Sequence, residues 1–143
     1  MPKSTTFSND LAALIFNATA IANIADNAAS SPLTNLYLSL HTSSPGTGGS
    51  QTTNETSYTN YARVAVARSG SGWTVSGGAA ENAALIQFAQ CGVTGATITH
   101  VAIGTASSST GKVLYQGALN SSLAVALNIQ PQFAAGDLVA SEA

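Results

Sequence analysis

Thr97-Ile98-Thr99-His100-Val101-Ala102-Ile103-Gly104-Thr105-Ala106-Ser107-Ser108-Ser109-Thr110-Gly111-Lys112-Val113-Leu114-Tyr115-Gln116-Gly117-Ala118-Leu119 reads as two apolar runs around one small-residue turn. Thr, Val and Ile over 97–103 suit a pleated surface. Ala106 to Gly111 has turn composition, and Lys112 to Gln116 is a second apolar run. The stretch predicts a β-hairpin with a loop longer than two residues. It holds one His, one Lys and no carboxylate, the character of a scaffold rather than a reaction centre.

Working outward, strands are expected wherever apolar residues alternate. Asn35 to Thr42 sets Leu36, Leu38 and Leu40 on one face. Tyr61 to Arg68 sets Ala62, Val64 and Val66 together. Trp73 to Val75, Leu85 to Ala89 and Asp137 to Ser141 are shorter. Leu123, Val125, Leu127 and Ile129 give the cleanest alternation in the chain. Turn signals recur every 8 to 12 residues or so, which argues for a sandwich or barrel, and βαβ alternation is missing. The fold class read here is mainly β, an antiparallel β-sandwich with one N-terminal amphipathic helix. The expected core is Leu38, Leu40, Val64, Val66, Ile86, Phe88, Ile103, Leu123, Val125 and Leu127.

The helix is expected over Asn9 to Thr19, with Ser8 or Asn9 as N-cap and Asp10 in the first turn. Phe7, Leu11, Leu14 and Ile15 form an apolar stripe, with Ile21 and Ile24 as its continuation. An isolated helix of about 11 residues is marginal in water, so it must dock on something. Either it caps its own sandwich, or it docks across an interface, with the stripe as the candidate contact with a larger assembly or a sister subunit. The expected organisation is one domain over 1–143, with an N-terminal arm and helix at 1–26 and the sandwich at 35–141. The polar loop from Ser43 to Asn60 is long enough to be either functional or mobile.

Composition narrows the function classes. Only 7% of residues are charged and the net charge is −2. With four dispersed cations there is no stripe for phosphates, so no direct nucleic-acid partner is expected. No run of 18 apolar residues occurs, so no membrane partner is expected either. A single cysteine, Cys91, excludes an intrachain disulfide and is read as a small buried hydrophobe. A surface of Ser, Thr, Asn and Gln desolvates cheaply, which suits packing against neighbours.

No catalytic, cofactor-binding or metal-binding residues are assigned. His41 and His100 lack a third ligand with metal spacing. No Gly-x-Ser-x-Gly elbow occurs, and no Gly-rich loop precedes a helix. Mid-strand His100 reads as a hydrogen-bonded structural histidine. The carboxylates Asp26, Glu55, Glu81 and Asp137 sit in no motif. Tyr37, Tyr58, Tyr61, Trp73 and Tyr115 read as core or rim ahead of a carbohydrate surface.

Several segments in order carry a resemblance. They are Leu36 to Thr42 followed by Pro45-Gly46, Tyr58 to Arg63, Asn82-Ala83-Ala84 before Ile86 and Phe88, and Thr99 to Ile103. Leu114 to Leu119 and Phe133 to Leu138 complete the set. The series resembles small tailed-bacteriophage virion structural proteins, of the capsid decoration (cement) or minor tail-fibre type, over about Phe7 to Glu142. The resemblance implies a jelly-roll-like sandwich without enzymatic activity or cofactors. It implies a virion location and a homo-oligomer. The expected role is a capsid decoration protein that binds and stabilises the major capsid protein shell, at the capsid surface rather than the tail. The alternative is a minor tail or tail-fibre component acting as a binding module.

Overall fold

The computed structural model describes residues 3–21, 24 and 32–142. Residues 1, 2, 22, 23, 25 and 26 of the expected N-terminal arm and helix lie outside the described residues. Among the described residues one helix, α1 (Thr5–Asn17), precedes nine strands. These are β1 (Asn35–His41), β2 (Val64–Ala67), β3 (Trp73–Ser76), β4 (Ala79–Asn82), β5 (Ile86–Gln87), β6 (Ala96–Gly104), β7 (Val113–Val125), β8 (Gln132–Phe133) and β9 (Val139–Ser141). They form sheets of order β2-β1-β6-β7, β3-β4-β9 and β5-β8. The β1–β6, β6–β7, β3–β4 and β4–β9 pairings are antiparallel. The architecture is mainly β with one N-terminal helix, consistent with a β-sandwich. The chain divides into two compact units, each assembled from separate segments: 1–35, 67–86 and 133–143 in the first, 36–66 and 87–132 in the second.

In the first unit, α1 packs on β3 and β4. The helix starts earlier than its sequence suggests. Ser4, not Ser8 or Asn9, is the N-cap, and its hydroxyl accepts from the Phe7 amide at 3.2 Å. Ser8 instead joins Ala12 and Phe16 on the buried face, one residue per turn. A Cβ at Gly78 would lie 2.9 Å from the Ser8 Cβ, so a glycine there lets helix and β3–β4 turn approach closely. Phe16 meets Trp73 edge to face at 4.7 Å. The helix stops when Ala18 turns left-handed. Its last carbonyls are covered from outside: the Arg68 guanidinium donates to Ile15 O at 2.7 Å and Leu14 O at 2.8 Å. A cation at this end also complements the helix dipole. Asn82 is buried and donates to Ala84 O and Ala134 O while accepting from the Leu138 amide.

In the second unit, β1 is central and pairs with β6 from Tyr37↔Gly104 to His41↔His100. Leu36, Leu38, Leu40, Ile98 and Phe88 are buried, as expected of a strand with one face on a core. The expected core holds at Leu38, Leu40, Val66, Ile86, Phe88, Ile103 and Val125. It fails at Val64, which is half-buried, and at Leu123 and Leu127, which are exposed. Leu127 lies beyond β7, which ends at Val125, in a turn over residues 126–129 closed by the Ile129 amide on Ala126 O at 2.9 Å, and Leu123 lies on β7 at the edge of its sheet. The two apolar runs expected as separate strands, from Lys112 and from Leu123, are one strand interrupted by a bulge. Leu119 to Ser122 lie opposite Thr99 alone, between the pairs His100↔Ala118 and Ile98↔Leu123.

Candidate functional site

The loop from Ser43 to Asn60 in the second unit is not free. Its return leg is stitched to β1, where the Thr42 amide donates to Asn54 O and the Thr56 amide to Leu40 O, both at 2.9 Å. At the next level Arg63, two residues past Tyr61 on the approach to β2, closes on the Glu55 carboxylate with two bonds. Nε meets Oε1 at 2.7 Å and Nη2 meets Oε2 at 2.8 Å. Two further guanidinium donors go to Ala106 O at 2.9 Å and Ser109 O at 2.8 Å. One side chain thus ties the long loop to the β6–β7 turn. The pair is largely withdrawn from water, with Arg63 3% and Glu55 15% exposed. The planar guanidinium matches the carboxylate two-pronged, which lysine cannot do. Glu55 holds the Arg63 guanidinium more firmly protonated than usual. The Tyr61 hydroxyl donates to Glu55 Oε1 at 2.8 Å and accepts from the Leu40 amide at 3.0 Å. Burial pushes the Tyr61 phenol far above its ordinary range.

A second buried side chain, Gln51, completes the anchoring. It is fully enclosed, donates to Tyr37 O at 3.2 Å and accepts from the Ala106 amide at 2.9 Å. Its amide group occupies the space that a Cβ on Gly104 or Gly111 would take. Those two glycines are therefore required for close approach rather than for unusual backbone angles.

His41 sits below the loop without exposure to solvent. Its Nδ1 lies 2.9 Å from Thr53 O, which can only accept, so Nδ1 carries the proton. Nε2 lies 2.9 Å from the Ser39 hydroxyl and accepts from it in the neutral ring. Burial lowers the His41 pKa from its ordinary 6.5 and outweighs the Thr53 bond and Glu55, which raise it. The folded state therefore binds this proton less readily than the unfolded chain. Stability from the neutral ring is complete above the unfolded value and declines as pH falls below it. Thermal melts between about pH 5 and pH 7 should show Tm falling more steeply in the wild type than in His41→Asn. Equal slopes would remove His41 from the account.

The structure treats the residues singled out by sequence differently. The helix stripe is not the buried face: Phe7 is 38% exposed, and Leu11, Leu14 and Ile15 are half-buried. His100 has Nδ1 2.8 Å from the Thr99 hydroxyl, and Cys91 is buried. Trp73 and Tyr58 are buried, with the Tyr58 phenol pushed up to about 12 by burial. Tyr61 packs on Tyr58 and stacks on Phe88, so these aromatics offer no exposed sugar platform. Among the described residues no three His, Cys, Asp or Glu side chains gather as metal ligands. The Glu55–Arg63 clamp and Gln51 were not foreseen. The signal available was scarcity: in so weakly charged a chain, an arginine within an apolar run requires a partner.

This arrangement is a stiffened polar surface, the 43–60 loop and the 105–111 turn, carried by a four-stranded sheet. It offers backbone amides, hydroxyls and carboxamides, which recognise by hydrogen bonding. A search of curated proteins finds no match. The family model described as Podophage GP4 fiber I protein gp80 matches residues 4–141, spanning the helix and all nine strands. The chain belongs to the Podophage GP4 fiber I protein gp80 family, a family of phage virion structural proteins.

Proposed function

We propose that the chain is a minor tail or fibre component that acts as a binding module, with the clamped loops of the second unit as its contact surface. The single observation that carries this reading is the family match over residues 4–141 to a protein described as a fibre. That description favours the tail or fibre alternative over the capsid decoration role expected from sequence. The site geometry supports a module that binds rather than reacts. Arg63, Glu55, Gln51 and His41 all spend their polar atoms on internal partners, so they hold loops in place and present no nucleophile. Rigid loops on a sheet scaffold bind without a large ordering cost.

Gold-labelled antibody against the chain, imaged on intact virions, tests the placement. Label is expected at the tail or its fibres. Label distributed over the head would return the reading to capsid decoration.

A further inference from the structure

The second unit carries an apolar surface that its own fold does not cover. The turn after β7 has Leu127 as a central residue beside Asn128, which takes a positive φ of 67°. Such turn positions ordinarily carry Gly, Asn, Asp, Ser or Pro, yet Leu127 is 60% exposed. The loop 91–95 lies against this turn. The Cys91 amide donates to Ile129 O at 2.8 Å, and the Asn128 amide donates to Cys91 O at 2.9 Å. At the loop's other end, a Cβ on Gly95 would run into Val125 O and lie 3.1 Å from the Ala126 Cα. Val93, between these two anchor points, is 88% exposed. Ile129 at 41% and Leu123 at 36% extend the surface. Two neighbouring loops thus both present aliphatic tips, and both are fixed by backbone hydrogen bonds rather than free to fold inward.

Charge selects the occupant. From Asn82 to Gly136 the only Asp, Glu, Lys or Arg is Lys112. A partner that brought charges here would bury them without counterions, at high cost. A second copy brings the same charge-free surface and nothing to repel it. The adjacent β7 adds backbone complementarity, since it ends the four-stranded sheet and its residues from Gln116 to Ala124 are exposed or half-buried. An uncharged edge strand without proline is open to pairing with an identical strand where it runs regularly, here over Tyr115 to Ala118 and again over Leu123 to Val125 on either side of the bulge. We propose that this surface, centred on Val93, Leu127 and Ile129, is a self-association interface between copies of the chain. The inference does not depend on whether the protein sits at the tail or the head.

The test is sedimentation of the purified full-length protein, as wild type, as the double variant Val93→Lys/Leu127→Lys, and as Val139→Lys. Val139 is equally exposed but lies in the first unit, and there Lys would face Glu81 across the β4–β9 pairing. The wild type and Val139→Lys should sediment as oligomers at about 100 µM, with the double variant weakened at least tenfold, roughly one step on the affinity scale. Circular dichroism should be unchanged, because both replaced side chains already face water. Amide exchange over 91–95 and 126–129 should slow as wild-type concentration rises. A wild type that stays monomeric, a double variant that associates as well as the wild type, or equal weakening by Val139→Lys would each overturn the proposal.

Discussion

Arg63→Met should destabilise the second unit by about 3–5 kcal/mol, because it leaves Glu55 charged and enclosed without its partner. Methionine keeps most of the side-chain volume, so the loss is electrostatic rather than a cavity. Four hydrogen bonds disappear at once: two to Glu55, one to Ala106 O and one to Ser109 O. The long loop and the β6–β7 turn then lose their common tie. Glu55→Gln combined with Arg63→Met removes the stranded charge and should recover part of the loss, since the penalty comes from one unpaired ion. Urea unfolding followed by far-UV circular dichroism gives both numbers. A single variant within about 1 kcal/mol of wild type would class the pair with ordinary surface ion pairs.

Phe88→Ala should cost about 3–5 kcal/mol through lost burial and the cavity left behind. Phe88 is 1% exposed and stacks on Tyr61 with ring centres 6.3 Å apart. Its backbone is fixed as well: the amide donates to Pro131 O at 2.9 Å, and the carbonyl accepts from Gln130 Nε2 at 3.0 Å. The surroundings therefore cannot collapse freely into the space. Tyr61 is also the residue whose hydroxyl bonds Glu55, so the two substitutions share a neighbour and should not add independently. Urea unfolding of both single variants and the double reads the coupling, and strict additivity would separate the aromatic stack from the clamp.

Sequence disclosed the elements whose side chains have one face on a core. Leu36, Leu38 and Leu40 alternate with Tyr37, Ser39 and His41 along β1, and Leu38 lies opposite Ile103 and Leu40 opposite Val101, although the far face is also covered at Ser39 and His41. Where both faces meet water, periodicity stops carrying information. The run Leu123 to Ile129 keeps alternating through the end of β7 and into a turn, and so predicts burial for Leu127 that does not exist. β4 was invisible for the opposite reason. Ala79-Ala80-Glu81-Asn82 has no β-branched residue, and it is a strand because β3 and β9 pair with it on both sides. The helix start was misplaced because Ser8 has the residue type of a cap but the position of a core contact. Of the candidate site, the loop could be located but not its rigidity. The partners Glu55, Arg63 and Ala106 are joined across up to 43 residues of chain, beyond the reach of local patterning.

As a proposed minor tail or fibre component, this virion protein should be present in few copies per particle. Counting its copies per particle tests that most directly, by mass spectrometry of purified virions against labelled peptides of this chain and of the major capsid protein. A tail or fibre component, assembled by closed symmetry around one axis, should be present at a few tens of copies or fewer. Hundreds of copies, in fixed proportion to the major capsid protein, would contradict it.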